Sequence, residues 1–166
     1  MRWRISNRAA PDARAIADRH YNRQSIGADN FAPPGRAFVL VIPDVAFWIT
    51  SWPFAEYVKH AWAGAWVCSA FRNERPDLYR SSEIIVEAIA ATRWKWPDVP
   101  ALGMITFVDT DKVRRKRDPG RCYRKAGFVP ATPRKTAGGL VALQLLPESM
   151  PSADAPLGTT TGFDFS

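Results

Sequence analysis

Residues 120–128, Gly-Arg-Cys-Tyr-Arg-Lys-Ala-Gly-Phe, decide the fold class, because they predict a short helix that stops at a glycine and leads into a β-strand. Gly127 suits a helix C-terminus, since glycine adopts the left-handed conformation without a Cβ clash. Phe128 then begins an apolar strand. The helix also carries Tyr123, and the chain first points to a chemistry at this motif.

The composition predicts one domain with its own core, since 46% of the 166 residues are hydrophobic. The sequence contains no apolar run of the roughly 20 residues that cross a bilayer. Its first residues, Met-Arg-Trp-Arg, lack the apolar centre of a signal peptide. We therefore expect a cytoplasmic protein.

The two cysteines, Cys68 and Cys122, have neither CxxC spacing nor a histidine cluster, so we expect no structural zinc site.

The formal net charge of +7 is concentrated in one stretch of the sequence. Five of the six residues 112–117 are cationic, and a further arginine follows closely: Lys112, Arg114, Arg115, Lys116, Arg117 and Arg121. Such a cluster predicts an anionic partner, and nucleic acid is one candidate.

The apolar periodicity predicts an α/β fold with a mixed sheet that includes an antiparallel meander. We expect strands near residues 2–5, 37–42, 45–51, 63–71, 102–108, 128–129 and 140–146. A first helix is predicted over residues 11–21, followed by a long loop over 22–36. A second helix is predicted to begin with Ser81 or Ser82 as its cap and to end before Pro97. The domain is expected to span 1–146. Residues 147–166 are rich in Pro, Ser, Thr and Ala, and we expect them to form a flexible tail.

The stretch Tyr-Arg-Lys-Ala-Gly-Phe at 123–128 resembles the Tyr-x-Lys-x-Gly-Phe segment of GCN5-related N-acetyltransferases, and the element order over 2–146 is similar to theirs. The resemblance implies an α/β fold whose mixed, mostly antiparallel central sheet is flanked by helices. It also implies acetyl-CoA as cofactor and Tyr123 as general acid to the departing thiolate. The family's glycine-rich pyrophosphate loop is missing here. The junction at residues 71–82 instead offers polar groups and the amides of a helix N-terminus as candidate cofactor ligands: Arg72, Asn73, Arg80, Ser81 and Ser82.

Arg72-Asn73-Glu74 has two interpretations. A polar group at the end of an apolar strand is typical of a ligand site in open α/β sheets. The same residues also suit a corner in which Arg72 and Glu74 pair and Asn73 caps a turn.

Four motifs resemble a narrower group, the bacteriophage Mom-like DNA modification proteins: His20-Tyr21, Arg72-Asn73, Phe107-Val108-Asp109 and Gly120-Arg121-Cys122-Tyr123. That resemblance implies transfer of an acetyl-CoA-derived group to the exocyclic N6 of adenine in double-stranded DNA, which protects the DNA from restriction. The compartment would then be the host cytoplasm if the protein is phage-encoded. The cationic stretch would contact phosphates. A flipped adenine would need an aromatic partner, for which Tyr21, Trp52 and Tyr57 are candidates.

The resemblance suggests further roles for three residues, each with a structural alternative. Asp109 is a candidate base or orienter of the amine, but it can equally cap the next turn. His20 is a candidate general base or, with Tyr21 and Asp109, part of an iron site. Its alternative role is to interact with the C-terminal dipole of its own helix. Tyr123 can likewise be a packed side chain.

Two other functional classes stay open. One is a conventional acetyltransferase that acts on a small amine or a protein lysine. The other is a non-catalytic nucleic-acid-binding protein that retains the fold without coenzyme A, which the missing glycine loop would allow.

Overall fold

A computed structural model describes residues 1–7, 36–110, 118–132, 135–136 and 138–159, whose strands form one seven-stranded sheet. The strands are β1 (Arg4–Ile5), β2 (Arg36–Ile42), β3 (Ala46–Trp52), β4 (Trp66–Asn73), β5 (Met104–Val108), β6 (Val129–Pro130) and β7 (Val141–Leu145). The α-helices within the described residues are α1 (Ser81–Lys95) and α2 (Arg121–Lys125), and short 3₁₀ turns occupy Ala55–Tyr57 and Pro147–Ser149.

The strands follow the order β1-β2-β3-β4-β5-β7-β6. Neighbouring strands run antiparallel except β4 and β5, which are parallel. A parallel pair needs a crossover connection, and α1 supplies it between these two strands. The parallel pair at the centre of the sheet is the feature that organises the site described below.

Helix α1 packs on one face of the sheet through the apolar side chains that its sequence predicted. Ile84, Ile85, Ala88 and Ile89 are fully buried in the main core. The predicted serine cap is wrong, because Arg80 occupies the N-cap position and no side chain caps the helix. Ser81 instead accepts a hydrogen bond from the Asn73 amide at 3.1 Å.

Strand β4 extends further than its apolar residues suggested. It begins at Trp66 and includes Arg72 and Asn73, which pair with Phe47 and Ala46 of β3. Strand pairing depends on backbone hydrogen bonds. The strand can therefore continue through polar residues, where an apolar pattern alone predicts that it ends.

The segment after β7 differs from the flexible tail predicted from its composition. Over residues 147–159 the chain returns along α1 and β1, and Met150 is buried in the core. The backbone amide of Asp154 donates to the Ala90 carbonyl at 3.1 Å, and that of Leu157 donates to the Trp3 carbonyl at 2.9 Å. The backbone amide of Ile5 in the edge strand β1 also donates to the Gly158 carbonyl at 2.6 Å, so this segment pairs with the edge of the sheet, which composition could not reveal. Residues 160–166 lie outside the described part.

No helix within the described ranges is both long and apolar enough to cross a membrane. The predicted helix over 11–21 and loop over 22–36 fall almost wholly on residues 8–35, outside those ranges.

Candidate functional site

The sheet opens between its two parallel strands. β4 and β5 pair only from Trp66 with Met104 to Cys68 with Thr106. Beyond that point β4 stays paired with β3 as far as Asn73, and β5 stays paired with β7 as far as Val108. The carboxyl ends of the two strands therefore diverge, and a gap forms where ligands of open α/β sheets collect.

A β-bulge in β4 determines which side chains border this gap. Ile49 of β3 faces Ala70 and Thr50 faces Cys68, so Ser69 is the extra residue. A bulge shifts the alternation of side chains by one position. As a result Cys68 and Phe71 both point to the α1 side of the sheet, while Ala70 packs on the opposite face.

The end of α2 holds Tyr123 in place at the gap. Gly127 has φ +111°, which confirms the predicted left-handed glycine. The amide of Phe128 donates to the Tyr123 carbonyl, and the amide of Gly127 donates to the Arg124 carbonyl, both at 3.0 Å. This is a Schellman motif, and the rings of Tyr123 and Phe128 make its hydrophobic contact, with centroids 5.5 Å apart. Tyr123 is thus fixed by its own helix terminus.

The hydroxyl of Tyr123 reaches the last paired position of the parallel strands. It lies 3.8 Å from Sγ of Cys68, and its ring packs edge-on against Phe71. Burial raises the pKa of the Cys68 thiol to about 12, and its contact with Tyr123 opposes that effect only in part. Cys68 is therefore a neutral thiol at physiological pH and not a nucleophile. Of these two neighbouring side chains, the phenol of Tyr123 is the one that remains a candidate for chemistry at the gap.

The corner between β4 and α1 matches the structural interpretation of its sequence. Arg72 Nε donates to Glu74 Oε2 at 3.0 Å, and Asn73 Oδ1 accepts the backbone amide of Arg75 at 2.9 Å. The Asn73 amide also donates to the Tyr79 carbonyl at 2.9 Å and thereby holds the strand end against the helix N-terminus. These bonds do not occupy the first amides of α1, which no side chain caps.

The other predicted site residues are distributed around this corner or outside the described ranges. Arg80 is exposed at the start of α1, Ser82 is half-buried in its first turn, and Arg121 is exposed at the start of α2. Asp109 is half-buried directly after β5. Outside the described ranges lie two candidate catalytic residues and the cationic cluster: His20, Tyr21, Lys112, Arg114, Arg115, Lys116 and Arg117.

The predicted iron trio cannot be assembled from the described residues, since only Asp109 belongs to them. Elsewhere in the described ranges, no group of three His, Cys, Asp or Glu side chains is placed to hold a metal ion.

Trp52 is not placed to stack on a flipped base, contrary to the sequence-based suggestion. Its ring packs against Trp66 and Trp96, with centroids 5.9 and 5.4 Å away. The Arg36 guanidinium covers it at 4.0 Å. An aromatic ring whose neighbours already include two indoles and a guanidinium serves the core. Tyr21 and the side chain of Tyr57 lie outside the described part.

Sequence reasoning missed a cavity of about 740 Å³ on the face of the sheet opposite α1. It lies between the β3–β4 loop, Phe107 of β5 and the β6–β7 loop. The lining combines three rings, two amines, four small or hydroxylated residues and one leucine: His60, Trp62, Phe107, Lys59, Lys135, Ala61, Thr132, Thr136, Gly138 and Leu140. The Lys-His-Ala-Trp sequence at 59–62 was the available signal, as a cationic and aromatic cluster in a loop.

Comparison with solved structures identifies complexes of one enzyme. A structure of AAC(6')-Ib with paromomycin and acetyl-CoA is 13% identical, covers 90% of this chain and 96% of its own, and has a TM-score of 0.53. A structure of the aminoglycoside acetyltransferase AAC(6')-Ib with coenzyme A and kanamycin is 16% identical, covers 68% and 67%, and has a TM-score of 0.45. No family model and no curated protein matches the chain.

The first of these similarities extends over nearly the whole of both chains and confirms the predicted fold class. The fold is the α/β fold of GCN5-related N-acetyltransferases, with a mostly antiparallel sheet. At this level of identity the likeness concerns the fold alone.

Proposed function

We propose that this protein is an acetyl-CoA-dependent N-acyltransferase whose reaction takes place in the gap between β4 and β5. One observation carries the proposal: the Tyr123 hydroxyl lies beside Cys68, at the point where the two parallel strands separate. A phenol on a short helix whose C-terminal Schellman motif bonds to the same residue's carbonyl is a positioned proton donor.

The corner between β4 and α1 suits the pyrophosphate of coenzyme A. The uncapped amides of Ser81 and Ser82 begin a 15-residue helix, whose N-terminal dipole favours an anion. Arg80 is exposed at the N-cap position and can add a charged contact. Arg72 and Asn73 support this corner through their bonds to Glu74, Tyr79 and Ser81. The amides and Arg80 would thus replace the missing glycine-rich loop.

Bound acetyl-CoA would supply an activated acyl thioester. Tyr123 would deliver its proton from Oη to the departing sulfur, and Cys68 would remain a neutral neighbour that limits where the phenol can lie. Asp109, at the carboxyl end of β5, would orient the incoming amine or accept its proton. Neither the role of Tyr123 nor that of Asp109 requires a metal ion.

The first test is coenzyme A binding followed by transfer from radiolabelled acetyl-CoA to a panel of small amines and a lysine-rich peptide. The proposal expects saturable binding that weakens in Arg80→Ala, and transfer that is lost in Tyr123→Phe. A folded protein that binds no coenzyme A would exclude acetyl-CoA chemistry and would favour the non-catalytic nucleic-acid-binding class.

Two acceptor classes compete. The fold similarity to AAC(6')-Ib, whose structures contain aminoglycosides, favours a small-molecule amine. The net charge of +7, with five cations among residues 112–117, favours DNA and the adenine N6 modification implied by the Mom-like motifs. Nucleoside mass spectrometry of DNA from expressing cells separates the two. Under the DNA hypothesis a mass-shifted adenosine appears with the native chain and not with Tyr123→Phe.

A further inference from the structure

We propose that the cavity opposite α1 binds a planar aromatic group that carries an anionic substituent, and that it is the acceptor site of the proposed acyltransferase. The assignment of an acceptor rests on the proposed function. The assignment of ligand chemistry rests on the cavity itself.

Three rings form an aromatic wall in this cavity. The centroid of His60 lies 5.9 Å from that of Trp62 and 5.2 Å from that of Phe107, while Trp62 and Phe107 are 5.9 Å apart. All three side chains are half-buried, so each retains surface on the cavity side. Preorganised aromatic surface favours a flat ring over a flexible polar chain.

His60 contributes to this wall as a neutral ring. Its Nδ1 accepts the backbone amide of Trp62 at 3.1 Å, which leaves Nε2 as the position of the proton. Burial also lowers the pKa of His60, so the neutral form prevails at pH 7. The imidazole can therefore stack and donate one hydrogen bond without adding charge.

The charge of the lining points to an anionic substituent. Among the described residues that line the cavity, Lys59 and Lys135 carry the only formal charges, and both belong to the loops at its rim. No carboxylate is among them. A polycation would meet two ammonium groups with nothing to neutralise it, whereas a carboxylate or phosphate would gain an ion pair.

The cavity borders the gap in the sheet from the face opposite Tyr123. Phe107 follows Thr106, the last residue of β5 that pairs with β4, and successive strand residues point to opposite faces. Thr106 is buried beside Cys68, and its hydroxyl donates to the Cys68 carbonyl at 3.2 Å. A ligand that contacts Phe107 thus lies one residue along β5 from Thr106, whose partner Cys68 is the residue that the Tyr123 hydroxyl reaches on the other face.

The decisive experiment measures binding to the full chain by calorimetry in the absence of any acyl donor. The probes are 4-aminobenzoate, aniline, adenosine 5′-monophosphate, a short single-stranded oligodeoxyadenylate and kanamycin. We expect 4-aminobenzoate and adenosine 5′-monophosphate to bind. Aniline should bind about tenfold more weakly than 4-aminobenzoate, because it lacks the group that would form ion pairs with the two rim lysines. Kanamycin should not bind.

Paired variants assign the binding to this cavity. Trp62→Leu should weaken 4-aminobenzoate at least tenfold, because an aromatic stacking partner is lost. Trp94→Leu, an exposed tryptophan on α1, is the matched control and should bind normally. Replacing both Lys59 and Lys135 with Gln should weaken 4-aminobenzoate by about tenfold and leave aniline unchanged, while Lys95→Gln should alter neither.

The outcomes separate the source of the ligand and the fate of each proposal. Tighter binding of the oligonucleotide than of the mononucleotide would identify a base within nucleic acid, and equal or weaker binding would identify a free small acid. The cavity assignment would be overturned if aniline bound as tightly as 4-aminobenzoate or if kanamycin bound tightly. It would also be overturned if a folded chain bound none of the probes. If the anions bind but acetyl-CoA is never consumed, the binding site stands and the enzymatic function fails.

Discussion

The hydroxyl of Tyr123 lies 3.8 Å from Sγ of Cys68, although 55 positions separate the two residues in the chain. This contact joins α2 to the last paired position of β4 and β5. It places a phenol beside a thiol that burial keeps protonated, with its pKa raised to about 12.

Tyr123→Phe should separate catalysis from stability. The ring contacts with Phe71 and Phe128 persist in the variant, so the free energy of unfolding should change by less than about 1 kcal/mol. Loss of the proton donor should lower kcat about 10²- to 10⁴-fold with little change in the affinity for acetyl-CoA. Thiol release measured under saturating substrate tests this. Tyr79→Phe is the matched control, and equal losses in both variants would remove Tyr123 from the mechanism.

Cys68 should make the fold sensitive to alkali. Because burial raises the pKa of its thiol from 9.0 to about 12, the unfolded chain loses that proton at a lower pH than the folded one. The stabilising contribution is complete below pH 9 and is lost as the pH rises toward 12. Urea unfolding between pH 8 and 10.5 should therefore show a decline that is smaller in Cys68→Ala. Cys122→Ala should retain most of the decline, and identical profiles for the native chain and Cys68→Ala would contradict the burial.

Gly103→Ala should be far more damaging than Gly64→Ala, although both glycines have positive φ. A Cβ at Gly103 would lie 2.0 Å from the Leu145 carbonyl oxygen, whereas one at Gly64 meets nothing within 4 Å. We expect a cost of about 1–2 kcal/mol at Gly64 from backbone strain alone. At Gly103 the added overlap with β7 should raise the cost to about 2–5 kcal/mol. Denaturant midpoints compare the two, and similar values would show that β5 and β7 can separate without penalty.

Acidification should lower the stability of the fold through protonation of His60. Burial lowers its pKa in the folded chain, so the unfolded chain binds the proton first as the pH falls below about 6.5. Stability should therefore decrease from pH 7 toward pH 5, since protonation also removes the Nδ1 acceptor of the Trp62 amide. Melting temperatures of the native chain and His60→Gln across this range should converge at low pH. A constant difference would mean that His60 stays accessible to protons in the folded state.

Local sequence determined the elements whose causes are local. Glycine at 127 predicted the left-handed helix end that the structure has, with φ +111°. The helical spacing of Ile84, Ile85, Ala88 and Ile89 predicted the buried face of α1. The same reasoning placed most strand centres correctly, because apolar alternation follows from the pleat itself. It erred where a polar side chain or a composition bias masked backbone pairing, as at Arg72 and over residues 147–159.

Only the tertiary structure decided the features that create the candidate site. The bulge at Ser69, the separation of β4 from β5 after Cys68, and the cavity beside Phe107 each depend on which strands pair and where pairing stops. Pairing joins residues far apart in sequence, and a one-residue shift in register exchanges the two faces of a strand. The sequence by itself therefore determined that Tyr123 lies in a short helix that stops at Gly127 before a strand. The assembled sheet determined that its hydroxyl meets Cys68 where β4 and β5 separate.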